Sequence, residues 1–125
     1  MADQPFQAHV EISLPANTGG QNGFVQVSAG NRLLIEWVSG ESFLPTGQKC
    51  LFSVITSLAG QPTGTRHYLN STQMGPFGGQ DLARTGQVVS LAADAGTTVT
   101  LRADRNVATG QGLARMSLAG RLVTI

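Results

Sequence analysis

Gln7-Ala8-His9-Val10-Glu11-Ile12-Ser13-Leu14 is apolar at every even position and polar at every odd one. Period-two alternation of this length is the pattern of a strand with one buried and one solvated face. The Pro15-Ala16-Asn17-Thr18-Gly19-Gly20 that follows is turn chemistry and ends the strand.

The same grammar recurs downstream. Gly23–Ser28 reads as a short strand closed by Ala29-Gly30-Asn31. Arg32–Val38 places Leu33, Ile35 and Trp37 on one face and Leu34, Glu36 and Val38 on the other. Gln48–Leu58 puts Cys50, Phe52, Val54 and Leu58 together, with Leu51 and Ile55 opposite. Thr65–Asn70, Gln87–Ala92, Thr97–Ala103 and Leu113–Ile125 complete the strands, and Gly120 predicts a break or bulge in the last. Ser71–Thr85 reads as the longest irregular stretch, and Asp104-Arg105-Asn106 as a turn.

Strands at intervals of roughly ten residues, separated by Gly and Pro turns and without a convincing helix, predict an all-β fold. The expectation is an antiparallel two-sheet sandwich, jelly-roll-like, of about eight strands, as a single domain over residues 1–125. The polar Thr65–Asn70 is predicted as a sheet edge. Arg32–Val38 and Gln48–Leu58, apolar on both faces in places, are predicted to lie side by side at the centre. Their second faces, Leu34, Val38, Leu51 and Ile55, then need a cover, either from flanking segments or from another subunit, and the second predicts a homo-oligomer interface.

Composition narrows the function. The net charge is +1, and the seven arginines are spread along the chain, so the clustered basic footprint of a nucleic-acid binder is missing. No apolar run is long enough to cross a bilayer as a helix. Only 12% of residues are charged, about half the usual share, and such neutral polar surfaces suit secreted or virion proteins. Cys50 is the single cysteine, so no intrachain disulfide forms, and its apolar neighbours Leu51, Phe52 and Val54 predict a buried, inert thiol. The chain as written carries no signal peptide. That fits a mature secreted protein whose leader was removed, or a cytoplasmically made subunit such as that of a phage.

Chemistry-bearing patterns are sparse. His9 and Glu11, two apart on a polar strand face, could reach one metal ion if His67 or Asp81 supplied a third ligand. A solvated strand face explains the pair as well, and no metal site is assigned. No serine sits in a nucleophile elbow, no phosphate loop occurs, and no catalytic residue or cofactor is assigned. Glu36 is expected to pair across strands with Arg102 or Arg121. The stretch Ser71–Thr85 carries Phe77 between glycines, with Gln80, Asp81 and Arg84 just after. An aromatic beside amide, carboxylate and guanidinium groups is the chemistry that stacks on a sugar ring and hydrogen-bonds its hydroxyls. These four residues are the predicted ligand site, and a Phe77 tucked beneath the sandwich is the alternative.

Gly30-Asn31-Arg32-Leu33-Leu34-Ile35-Glu36-Trp37-Val38-Ser39, Leu44-Pro45-Thr46-Gly47-Gln48 and Ser117-Leu118-Ala119-Gly120-Arg121-Leu122-Val123 resemble a loose group of small secreted bacterial β-sandwich proteins of unassigned function. The likeness runs from Phe6 onward, rests on strand and turn patterns, and implies a secreted or cell-surface location without transferring a site. The expected function is a non-catalytic secreted or surface binding module for a glycan or other extracellular ligand, recognised through residues 71–85. A structural subunit of a symmetric assembly, such as a phage particle, is the alternative, and a small metal-dependent enzyme is a third reading.

Overall fold

The computed structural model describes residues 3–61 and 63–125. Among the described residues nine strands follow one another: β1 (Gln4–Leu14), β2 (Gly20–Gln26), β3 (Asn31–Leu44), β4 (Cys50–Thr56), β5 (Thr65–Tyr68), β6 (Ser71–Phe77), β7 (Gln80–Ala93), β8 (Thr98–Arg105) and β9 (Gly112–Thr124). They form a five-stranded sheet, β1-β9-β3-β7-β6, and a four-stranded sheet, β2-β8-β4-β5. Every pairing is antiparallel. The partnerships β1·β9, β2·β8, β3·β7 and β4·β5 are those of one long hairpin rolled on itself, the jelly-roll connectivity. β6 is an additional strand on the edge of the larger sheet. Among the described residues there is no helix, and so none able to cross a membrane.

The inner faces meet in one core. Leu14, Leu33, Leu44, Phe52, Val54, Leu101 and Leu118 are at most 1% exposed within it. Burial alternates through β8 and most of β9, as strands with one face on a core require. β5 is an edge strand, as expected. β3 and β4 are interior to their sheets, but they belong to different sheets and do not lie side by side. Alternation shows which residues share a face of one strand and carries no information on which sheet that strand joins.

The decisive irregularity lies in β3. Ile35 is paired with Gly120 and Val38 with Leu118, so two residues of β3, Glu36 and Trp37, stand against the single Ala119 of β9. This bulge leaves both residues exposed and reverses the alternation beyond them. Val38, predicted to face outward at an oligomer interface, is therefore fully buried in the core, and Trp37, predicted to share the face of Ile35, turns to solvent. Gly120 marks the place on the facing strand. A Cβ there would lie 1.9 Å from the Leu34 carbonyl oxygen, so only glycine admits this close backbone approach. Glu36 accepts a hydrogen bond from Arg121 Nε at 3.0 Å, the expected cross-strand pair, and Arg121 also bonds Asp3.

Buried charges close both ends of the sandwich. At one end Arg105, 7% exposed, lies in β8 rather than in the turn predicted for it. Its Nε donates to Thr18 O (2.9 Å), Nη1 to Gln48 Oε1 (3.1 Å), and Nη2 to Pro15 O and Gly110 O (2.9 Å each). One guanidinium thus ties together the β1–β2, β3–β4 and β8–β9 connections, using its planar fork of donors. At the other end Asp94 accepts from Ala59 N (2.5 Å) and Arg32 Nε (2.7 Å), joining the β4–β5 and β7–β8 connections to the start of β3. The Ala59 hydrogen bond first, and Arg32 second, hold the Asp94 carboxyl below its ordinary range.

Replacing Arg105 by Met leaves several buried acceptors without donors, and urea unfolding should show a loss of about 3 kcal/mol. A loss under about 0.5 kcal/mol, the level of an ordinary surface change, would mean that the loops close without it. Because the Asp94 pKa is lower folded than unfolded, its stabilisation is present above the unfolded value, near 3.9, and fades as pH falls through the folded one. The difference in urea midpoint between the wild type and Asp94→Asn should therefore be constant at neutral pH and shrink below about pH 4. A difference independent of pH would contradict this.

Candidate functional site

The outer face of the larger sheet is organised in rows across its strands. Where β1, β9, β3 and β7 run together, register sets Gln7, Ala119, Trp37 and Val88 in one row. The next row is His9, Ser117, Ser39 and Gly86. Glu11, Arg115, Glu41 and Arg84 follow, and then Ser13, Leu113, Phe43 and Leu82. Chemistry therefore changes along the strands, from aromatic to small polar to charged to apolar.

Trp37 is 42% exposed and reaches across to β7. A Cβ on Gly86 would come within 3.2 Å of its Cζ2, so the missing side chain at Gly86 is the space the indole occupies. Below the indole the row of small residues leaves two adjoining depressions. One, of about 410 Å³, lies between Gln7, His9, Trp37 and Ala119, and the other, of about 290 Å³, between His9, Ser39, Arg84 and Arg115. Both are lined by His9 and Ser117. The Ser39 and Ser117 hydroxyls are hydrogen-bonded to one another at 2.9 Å on the floor.

The charged row is a ladder of alternating sign. Arg115 contacts Glu11 and Glu41 at 3.5 Å each, and Arg84 contacts Glu41 at 3.7 Å. These distances and exposures make the pairs weak contributors to stability. Their donors and acceptors remain open to a ligand.

The four residues predicted as a ligand site divide. Ser71–Thr85 is a β-hairpin rather than an irregular loop: β6 and β7 pair around a two-residue Gly78-Gly79 turn, with φ of 62° and 82°. Two consecutive positive φ values give the turn whose twist suits a hairpin. Phe77 is exposed at the tip of this hairpin, its ring tilted at 6.4 Å from that of Phe43, so it does not plug the core. Gln80 is its cross-strand partner, and Arg84 stands in the charged row. Asp81 is turned away, its Oδ2 accepting from Gly47 N at 2.8 Å and its Oδ1 buried without a partner among the described residues.

The predicted interface divides as well. Leu34 lies on the outer face of the five-stranded sheet, opposite Ala92 and Arg121, while Leu51 and Ile55 lie on the outer face of the other sheet. With Val38 in the core, these residues form no common patch. The metal constellation does not assemble either. His67 is in the four-stranded sheet and bonds Thr56 Oγ1 at 3.1 Å, away from His9 and Glu11. Among the described residues no group of three or more His, Cys, Asp or Glu converges as a metal site.

Trp37, Ser39, Gly86, Arg115 and Ser117 were not singled out from the sequence. One signal was available: Leu33 and Ile35 are odd-numbered, Val38 and Leu44 even, so the apolar phase of β3 changes between Ile35 and Val38. No protein-family model matches the chain, and comparison with curated proteins also finds no match.

Cys50 is 4% exposed, and burial pushes its thiol up to about 11. A neutral, covered thiol is a poor nucleophile. Ellman's reagent at mildly alkaline pH should leave the native protein unmodified and titrate one thiol after denaturation; fast native reaction would contradict the burial.

Proposed function

We propose that this protein is a non-catalytic binding module, secreted or displayed on a surface, that recognises carbohydrate on the outer face of its larger sheet. The observation that carries the reading is Trp37, turned outward by the Glu36 bulge and standing over Gly86 beside the His9, Ser39 and Ser117 side chains. Bulges re-aim side chains next to functional sites. An aromatic surface stacks on the apolar face of a sugar ring, and the neighbouring imidazole, hydroxyls and charged ladder supply donors and acceptors for its hydroxyl groups. The neutral polar composition and the likeness to small secreted bacterial proteins support the location.

A second reading, a subunit of a symmetric assembly, draws on Val88, which is 81% exposed beside Trp37. Light scattering separates the two: a monomer at micromolar concentration favours the ligand reading.

A glycan array followed by calorimetric titration tests the proposal. Trp37→Ala should weaken binding at least about tenfold, or ~1.4 kcal/mol, in a variant whose circular dichroism remains that of the native fold. Equal affinity of the variant and the wild type would remove Trp37 from the site and this function with it.

A further inference from the structure

The binding groups on this face extend well beyond Trp37. β3 carries Trp37, Ser39, Glu41 and Phe43 outward in succession, a span of about 20 Å at the rise of a strand. At its far end Phe77 is 62% exposed against Phe43. A further depression, of about 320 Å³, lies there between Ser13, Gln80 and Leu113. Aromatic surface thus stands at both ends of a polar track that runs along the strands, and Phe77, Gln80 and Arg84 belong to the same face as Trp37.

On the carbohydrate reading above, we infer that the ligand is a linear, uncharged polysaccharide lying along the strands, with Trp37 under one end of the bound stretch and Phe77 under the other. A single sugar ring covers one aromatic end and leaves the other unused. A chain of several units engages both, and its middle units meet the ladder. There the two guanidiniums of Arg84 and Arg115 are balanced by the two carboxylates of Glu11 and Glu41, so a polyanion meets carboxylates and a polycation meets guanidiniums. The outer members of the ladder, Glu11 and Arg84, have side chains 59% and 60% exposed, free to bond hydroxyl groups.

The test is a calorimetric length series on the intact chain. It uses β-1,4-linked gluco-, manno- and xylo-oligosaccharides from disaccharide to octasaccharide, with alginate as an anionic control. Affinity for one neutral series should rise at least tenfold with length. Phe77→Ala should abolish that gain with length, whereas Trp37→Ala should weaken every length. Both side chains are exposed, and thermal unfolding verifies that the variants keep the fold. Affinity independent of length, a Phe77→Ala loss equal at all lengths, or tighter binding of alginate would overturn the extended neutral ligand and leave the Trp37 site standing. Absence of binding to every saccharide, alginate included, or indifference to Trp37→Ala, would overturn the underlying function as well. A doubled mass in light scattering that Trp37→Ala reduces would assign the face to a second copy of the chain and overturn both.

Discussion

Two residues of β3 facing one residue of β9 set the character of this molecule. Without that extra residue, strict alternation would keep Trp37 in phase with Ile35 and place it in the core, with Val38 outside. With it, Leu33 and Ile35 above the bulge and Val38 and Leu44 below all face inward. The core remains filled, and the one large aromatic of the strand is delivered to solvent. Gly120 admits the close backbone contact, and the Glu36–Arg121 pair holds the bulged carboxylate on the outer face. The bulge couples core packing to the surface site, because the strand cannot lose it without exchanging Trp37 for Val38.

The remainder of the scaffold provides stiffness. Arg105 gathers three connections at one end through carbonyl and amide oxygens, and Asp94 gathers its neighbours at the other. A buried cation bonded to oxygen dipoles is stable only while those dipoles stay aimed at it, so the loops are constrained as a group. Rigid ends hold the strands of the larger sheet in register, and register is what aligns the rows of Trp37, His9 and Arg115 side chains into one face.

Strand positions and the sandwich were legible because alternation is local: Gln7–Leu14 and Thr97–Ala103 declare their buried faces without reference to any other strand. The edge position of β5 was legible from its polarity. Sheet membership was not, since Leu34 on β3 and Leu51 and Ile55 on β4 look alike in sequence and end on opposite outer faces. The hairpin around Gly78-Gly79 was hidden by Gly75 and Pro76, residues that usually interrupt strands but are tolerated in the edge strand β6. Phe77, Gln80 and Arg84 belong to the face that Trp37 shares, whereas Asp81 faces away because hairpin alternation divides neighbours. Trp37 itself was misplaced by one inserted residue, whose only trace is the change of apolar phase between Ile35 and Val38.

Trp37 is the single tryptophan of the chain, so its fluorescence reports this one position. Acrylamide quenching of the native protein tests the bulge directly. With Trp37 turned outward, its emission should be red and solvent-like, and acrylamide should quench it readily. A blue, quench-resistant emission, the signature of an indole packed beside Ile35 in an unbroken alternation, would contradict it.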